Sequence, residues 1–368
     1  MTLLTTPAAL IQKLTAGALA VLTTIIAGLP AEPVQNIRAQ QWHLDFLNIE
    51  QVHQISTGKG VIVGVIDSGV DGGHPDLTGR LLPGVDLTFL HRPDALEDLD
   101  GHGTAMAGLI AANGQALGIA PDATILPVRR TPGGTGDPRT AADGIYWAVD
   151  NGATVLCLAF ANPEPDIILE QAIRYALAHD VVVVAGVGNA PYDQGLIYPA
   201  AYDGVIGAAG VDRNGNHAGF SIVSPAADLA APAVDIMSLE ARNIDPTGYS
   251  QGSGTSISTA IIAGVAALIR AKYPELSAED VINRMIVTAD DRGAPGRDNE
   301  YGHGIINPLA ALTADIPPLN PPTTNTPTYS ASPPPASSNP RPIILTTLSV
   351  LFIALLAGAV FMTLRRRT

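Results

Sequence analysis

Unbroken apolar runs, rather than alternating ones, set the rhythm of this chain. Residues 59–66 read Lys-Gly-Val-Ile-Val-Gly-Val-Ile and close on Asp67-Ser68-Gly69. Continuous β-branched residues bounded by turn formers predict a strand buried on both faces, as in a parallel sheet. Similar runs at 123–128, 153–160 and 181–187 predict further strands, with shorter ones at 204–211 and 234–238. Amphipathic stretches at 140–151 and 166–179 predict helices between them. Such alternation predicts an α/β fold: a mostly parallel sheet with helices on both faces. Residues 104–112 and 252–272 are apolar almost throughout and predict helices buried on most sides. Residues 277–288 predict a last helix, with Ser277 as cap and Asp280 three residues on, close to a capping box. Gln41-Trp42-His43-Leu44 opens a short helical or irregular entry that runs to Gln54.

The ends follow a different pattern. Residues 14–28 form an uncharged apolar run before Leu29-Pro30-Ala31, which predicts a secretory signal peptide over 1–31. A short extension, 32–40, leads into the main domain, 41–312, and leaves no room for a pro-domain. Residues 313–342 are rich in Pro, Thr, Ser and Asn and predict a semi-rigid linker. Residues 343–364 are apolar and uncharged, and three arginines follow within the tail, 365–368. At 1.5 Å per residue this run is about 33 Å long, enough to cross a bilayer. The positive-inside rule keeps the arginines cytoplasmic and the domain outside, which predicts a single-pass cell-membrane protein.

Composition narrows the chemistry. The chain has 368 residues and a formal net charge of -14. The two ends carry +1 and +3, which leaves -18 for residues 32–312. Nucleic acid is excluded as an expected partner, because phosphate binding needs a basic face. A single cysteine, Cys157, excludes an intramolecular disulfide.

Four polar residues stand where the pattern places the ends of elements. Asp67 and Asn189 fall at the carboxyl ends of strands, the edge where open α/β sheets place their ligands. His102 follows Gly101 at the start of an apolar helix. Ser256 follows Gly252-Ser253-Gly254-Thr255 at the start of another, where backbone N–H groups and the helix dipole favour developing negative charge. Each has a plain alternative: a turn former, a structural histidine, a helix cap. The order Asp, His, Ser separates the set from the chymotrypsin and α/β-hydrolase orders. The α/β-hydrolase elbow also fails, since position 258 is Ser rather than Gly.

With Val65-Ile66-Asp67-Ser68-Gly69-Val70, His74-Pro75-Asp76-Leu77, Asp100-Gly101-His102-Gly103-Thr104, Gly188-Asn189 and Gly254-Thr255-Ser256, the chain resembles the subtilases, the subtilisin-like serine peptidases. The resemblance implies a subtilisin-like three-layer fold, plus the C-terminal transmembrane helix read above. It implies Asp67, His102 and Ser256 as catalytic residues, Asn189 as oxyanion donor, and Ala159, Phe160, Ala161 and Gly186 as substrate-binding residues. It implies a protein or peptide substrate and no cofactor. Asp76 matches a calcium ligand of some subtilases, but its companion loop at 112–117 is short, so no metal is expected and His74 and Asp76 should build a turn. Ala260 stands where the family has proline, the family's Ser-Leu-Gly strand reads Ala-Phe-Ala, and Cys157 replaces a common asparagine. These departures bear on substrate alignment and not on the triad. The plan of the chain and the segments Gln41-Trp42-His43-Leu44, 79–86 and Tyr301-Gly302-His303-Gly304 further resemble the mycosins, membrane-anchored subtilases of type VII secretion systems. That implies a secretion complex as partner. It also leaves open a weakly active or inactive domain that serves as a scaffold, and a non-peptide esterase is a third alternative.

Overall fold

The computed structural model describes residues 36–133 and 136–319. The expected signal peptide, the membrane span, the cytoplasmic tail and most of the linker lie outside the described residues.

Five of the six predicted strands enter one seven-stranded sheet, and the sixth, at 234–238, enters a separate hairpin. The strands of the sheet are β1 (Ile62–Asp67), β2 (Val85–Asp86), β3 (Thr124–Arg129), β4 (Val155–Leu158), β5 (Val182–Gly186), β6 (Ile206–Val211) and β7 (Leu229–Pro232), in the order β2-β3-β1-β4-β5-β6-β7. Every neighbouring pair is parallel. A separate antiparallel hairpin joins β8 (Ile236–Leu239) to β9 (Tyr249–Gly252). Parallel strands need crossovers; helices supply those from β2 through β5, and irregular segments join β5 to β6 and β6 to β7. Three short helices open the chain: α1 (Ile37–Gln40), α2 (Trp42–Phe46) and α3 (Ile49–His53). Then follow α4 (His102–Ala111), α5 (Pro138–Asp150), α6 (Ile167–Ala178), α7 (Thr255–Lys272), α8 (Ala278–Val287) and α9 (Pro308–Thr313).

The unbroken apolar runs are explained by burial on both faces. Within β5, Val182 and Val184 join the core beneath α4 and α7, while Val183 and Ala185 join the core beneath α5 and α6. This gives the three layers that the sequence predicts. Helix α7 is apolar enough to pass for a membrane span, but it is buried along most of its length in the domain core. The capping box at α8 is present: Ser277 Oγ accepts from Asp280 N–H, and the Asp280 carboxylate accepts from Ser277 N–H.

Four elements escape the sequence pattern, the first being the two-residue β2. β7 reads Leu-Ala-Ala-Pro, and β9 reads Tyr-Ser-Gln-Gly. Neither offers the bulky apolar run that marks a central strand. Helix α9 is only six residues long. The entry segment is helical and firmly held. The Gln41 amide bridges Leu117 N–H (2.9 Å) and Leu117 C=O (3.0 Å), and Trp42 Nε1 donates to Val234 C=O at 3.2 Å. Residues at the start of the linker lie along α8: Arg284 donates to the carbonyls of Ala314 and Ile316, and Asp280 accepts from Leu319 N–H.

Candidate active site

β1 ends at Asp67, and the following turn fixes the carboxylate: Asp67 Oδ1 accepts from Ser68 N–H at 2.8 Å. His102 is the first residue of α4. The turn before it needs Gly101, whose φ of +90° side-chain-bearing residues rarely adopt. Asp98, which the sequence pattern does not mark, anchors this start. Its carboxylate accepts from Asp100 and Gly101 N–H groups and from both N–H and hydroxyl of Thr104. Ser68 Oγ accepts from Gly103 N–H at 2.9 Å and ties the strand end to the helix start.

These constraints bring His102 Nδ1 to 2.9 Å from both Asp67 oxygens. With a carboxylate as acceptor, Nδ1 carries the proton and Nε2 is left as the basic nitrogen. Asp67 is buried and His102 half-buried. Burial alone lowers the imidazole pKa, but the Asp67 charge and hydrogen bond override it and hold it above the ordinary histidine value. Burial raises the Asp67 pKa, and His102, with Arg130 behind it, reverses that into a net lowering.

Ser256 is the second residue of α7. The residue preceding the helix is Gly254, and no side chain caps it, so Ser256 is not a capping serine. Ser256 is half-buried and lines two cavities in common with His102. Asn189 follows β5. Its Oδ1 accepts from Thr255 N–H at 2.9 Å, which fixes the amide and leaves its Nδ2 hydrogens for the cleft. Gly186 lets α7 approach the sheet: a Cβ there would meet the Thr255 and Thr259 hydroxyls at 2.9 and 3.2 Å.

His102 stands at the meeting of three cavities, two of which Ser256 also lines. One, of about 110 Å³, is walled by Ala159, Phe160, Ala161, Gly186, Gly188, Asn189 and Thr255. A second, of about 330 Å³, borders Asp67 and His102 and reaches Arg130 and the same 159–161 segment. A third, of about 280 Å³, opens on the opposite side, against Met106, Leu109, Ile236, Ile257 and Glu240. All eight residues singled out in the sequence therefore border this one cleft.

Of the three departures from the family pattern, Ala159-Phe160-Ala161 lines the cleft, and Ala260 and Cys157 fall off it. Ala260 is fully buried inside regular helix α7. Cys157 is buried in β4, and burial pushes its thiol pKa well up. His74 and Asp76 build the expected turn: His74 Nδ1 accepts from Asp76 N–H at 3.1 Å. The Asp76 carboxylate is engaged by Ala116 N–H and the Tyr249 hydroxyl. Among the described residues no group of three or more His, Cys, Asp or Glu is placed to hold a metal ion. Arg130 is a cleft residue that the pattern missed. Its signal is Arg129-Arg130, two cations directly after an apolar strand, at the edge where the ligand should lie.

Residues 58–304 match the model of the Subtilase family. Subtilisin DY of Bacillus licheniformis is 37% identical over 261 residues, which cover 69% of this chain and 91% of the relative. Among solved structures, the serine protease MycP1, described as an essential component of the type VII (ESX-1) secretion system, superposes with a TM-score of 0.69. It is 31% identical, and the match covers 77% of this chain and 91% of that one. The MycP3 protease from the type VII (ESX-3) secretion system gives 0.68 at 30% identity, over 77% and 90% of the two chains.

Proposed function

The chain belongs to the subtilase family and is a serine endopeptidase, and from that premise we propose a membrane-anchored, extracytoplasmic enzyme that works with a type VII secretion system through Asp67, His102 and Ser256. The observation that carries the catalytic assignment is the paired contact of His102 Nδ1 with Asp67, with His102 and Ser256 lining the same cavity. Ser256 Oγ attacks the peptide carbonyl carbon. His102 Nε2 takes the hydroxyl proton and delivers it to the leaving amine. Asp67 holds the imidazole in the needed tautomer and stabilises its charged form. The Asn189 amide and the Ser256 N–H, at the positive end of α7, receive the oxyanion. Ala159, Phe160 and Ala161 offer an edge for the extended substrate, and Gly186 keeps the smallest cavity open. The anchor rests on residues 343–364 and the arginines after them. The secretion role rests on the likeness to MycP1 and MycP3.

The full chain, assayed with internally quenched peptides and a serine-directed covalent probe, tests the catalytic reading. Ser256→Ala should lower turnover on the order of a millionfold and abolish labelling. Undiminished hydrolysis by that variant would refute the assignment. Because the solved relatives are named as parts of a secretion system, a scaffold role is the second reading. It prevails if Ser256→Ala retains secretion in cells while deletion of residues 41–312 does not.

A further inference from the structure

Arg129 and Arg130 are adjacent, yet their surroundings differ. Arg129 is fully buried and engaged on every side: it pairs with Asp86 at 3.0 Å and donates to the carbonyls of Ser68 and Glu97. Arg130 is 8% exposed. Its guanidinium lies over the Phe160 ring, 4.0 Å from the centroid. Its Nε is buried and meets no hydrogen-bond partner among the described residues. A buried guanidinium nitrogen without an acceptor is costly, and an incoming acceptor would remove the cost. The side chain lines the 330 Å³ cavity beside Asp67 and His102.

The position of that cavity fixes which substrate residue enters it. Side chains of an extended peptide alternate between two sides. A substrate lying along Ala159–Phe160–Ala161 places the residue whose carbonyl is attacked in the pocket of Gly186, Gly188 and Asn189. The residue before it then turns to the other side, toward His102 and Arg130. Two further acids border this cavity, and neither competes for Arg130. Asp100 is exposed at the rim, where water screens it, and the Asp193 carboxylate accepts from Asn189 N–H at 2.8 Å. Asp67 is held by His102.

We propose that Arg130 is a specificity-determining residue that selects substrates with Asp or Glu immediately before the residue whose carbonyl Ser256 attacks. This rests on reading the cleft as a peptidase site. A guanidinium stacked on Phe160 keeps its planar fork of N–H donors, which can bind a carboxylate through two parallel hydrogen bonds. The domain's strong negative charge makes this local cation decisive, since the long-range field does not attract acidic substrates.

The test uses the full chain and peptides that differ only at that residue: Glu, Gln or Lys. Wild type should favour Glu over Gln about ten- to a hundredfold in kcat/KM, the range of a buried charge-assisted hydrogen bond. Arg130→Gln should bring the ratio near one, Arg130→Lys should keep part of it, and Arg130→Glu should turn the preference toward Lys. A ratio near one in wild type overturns the proposal, and so does a ratio that survives Arg130→Gln. A uniform loss with the ratio intact assigns Arg130 to holding Asp67 instead. Fluorescence anisotropy of the labelled peptides on Ser256→Ala reads the same ratio without turnover. If wild type cleaves no peptide, the peptidase reading fails, and the binding ratio still decides the role of Arg130.

Discussion

The two edges of the sheet invite opposite conclusions from size and from chemistry. At the amino ends of β6 and β7 lies a cavity of about 440 Å³, larger than any of the three around His102. Two of its four charged residues, Asp228 and Arg297, are engaged with the protein itself. Asp228 accepts from Gly207 N–H at 2.9 Å and lies 3.6 Å from Arg297, which donates to the carbonyls of Pro225 and Ala227. At the carboxyl edge the polar groups are held in place but left open at their working ends. His102 is fixed through Nδ1, Asn189 through Oδ1 and Arg130 by stacking. A site is marked by polar atoms that the fold positions and does not satisfy, and volume is a poor guide to it.

The sharpest way to test this contrast is to free a positioned group at the carboxyl edge. Asp67→Asn keeps the size of the side chain but removes the charge and presents the wrong hydrogen-bond partner to Nδ1. Loss of this residue in subtilisin-type enzymes costs on the order of 10⁴-fold in kcat. The same variant carries a pH signature. General-base action needs neutral His102, and Asp67 raises the His102 pKa. The rising limb of kcat/KM in the wild type should therefore lie above pH 6.5, the ordinary histidine value. Asp67→Asn should move it to lower pH while the plateau falls. A limb that stays in place would show that Asp67 does not control the imidazole.

Next in size is a stability effect without a catalytic cause. Arg129→Met strands Asp86, whose side chain is fully buried beside it. Removing one member of a buried pair costs about 3–5 kcal/mol. The double variant Arg129→Met with Asp86→Leu should recover part of that loss in urea unfolding. Equal losses in the single and double variants would show that the stranded charge is not the cause. Asn189→Ala comes third. It should lower kcat about 10²- to 10³-fold, as loss of an oxyanion donor does, with little change in KM. A rise in KM alone would make Asn189 a ground-state binding residue.

The fold was legible because burial writes itself into composition. β1, β3, β4 and β5 each lie between two layers, so their apolar runs are continuous, and the amphipathic helices show which residues face the sheet. β7 and β9 were not legible. Their small or polar residues pack against neighbours in space that are remote in sequence, such as Ile305 beside β7. The candidate triad was legible because each member stands at the end of an element. Asp98 and Arg130 were hidden for different reasons. Asp98 resembles any aspartate in a loop until its four N–H and hydroxyl partners are seen. Arg130 differs from Arg129 only in what surrounds it, and nothing in two adjacent arginines says which is engaged.

The smallest expected effect completes the comparison from the amino edge. Asp228 is half-buried, and burial raises its pKa despite the Gly207 N–H bond and the nearby Arg297. A carboxyl that binds its proton more tightly when folded weakens the fold as pH rises past the ordinary aspartate value. Asp228→Asn keeps an acceptor for Gly207 N–H and removes the ionisation. It should flatten this part of the stability profile between pH 4 and pH 7. At pH 7 the net change should stay within about 1 kcal/mol, the scale of a partly exposed ion pair, because Arg297 keeps its two carbonyl acceptors. Peptide hydrolysis should not change, since Asp228 stands at the opposite end of the strands from His102. A large drop in kcat/KM for this variant would mean that the larger cavity communicates with the cleft, and the distinction between the two edges would fall.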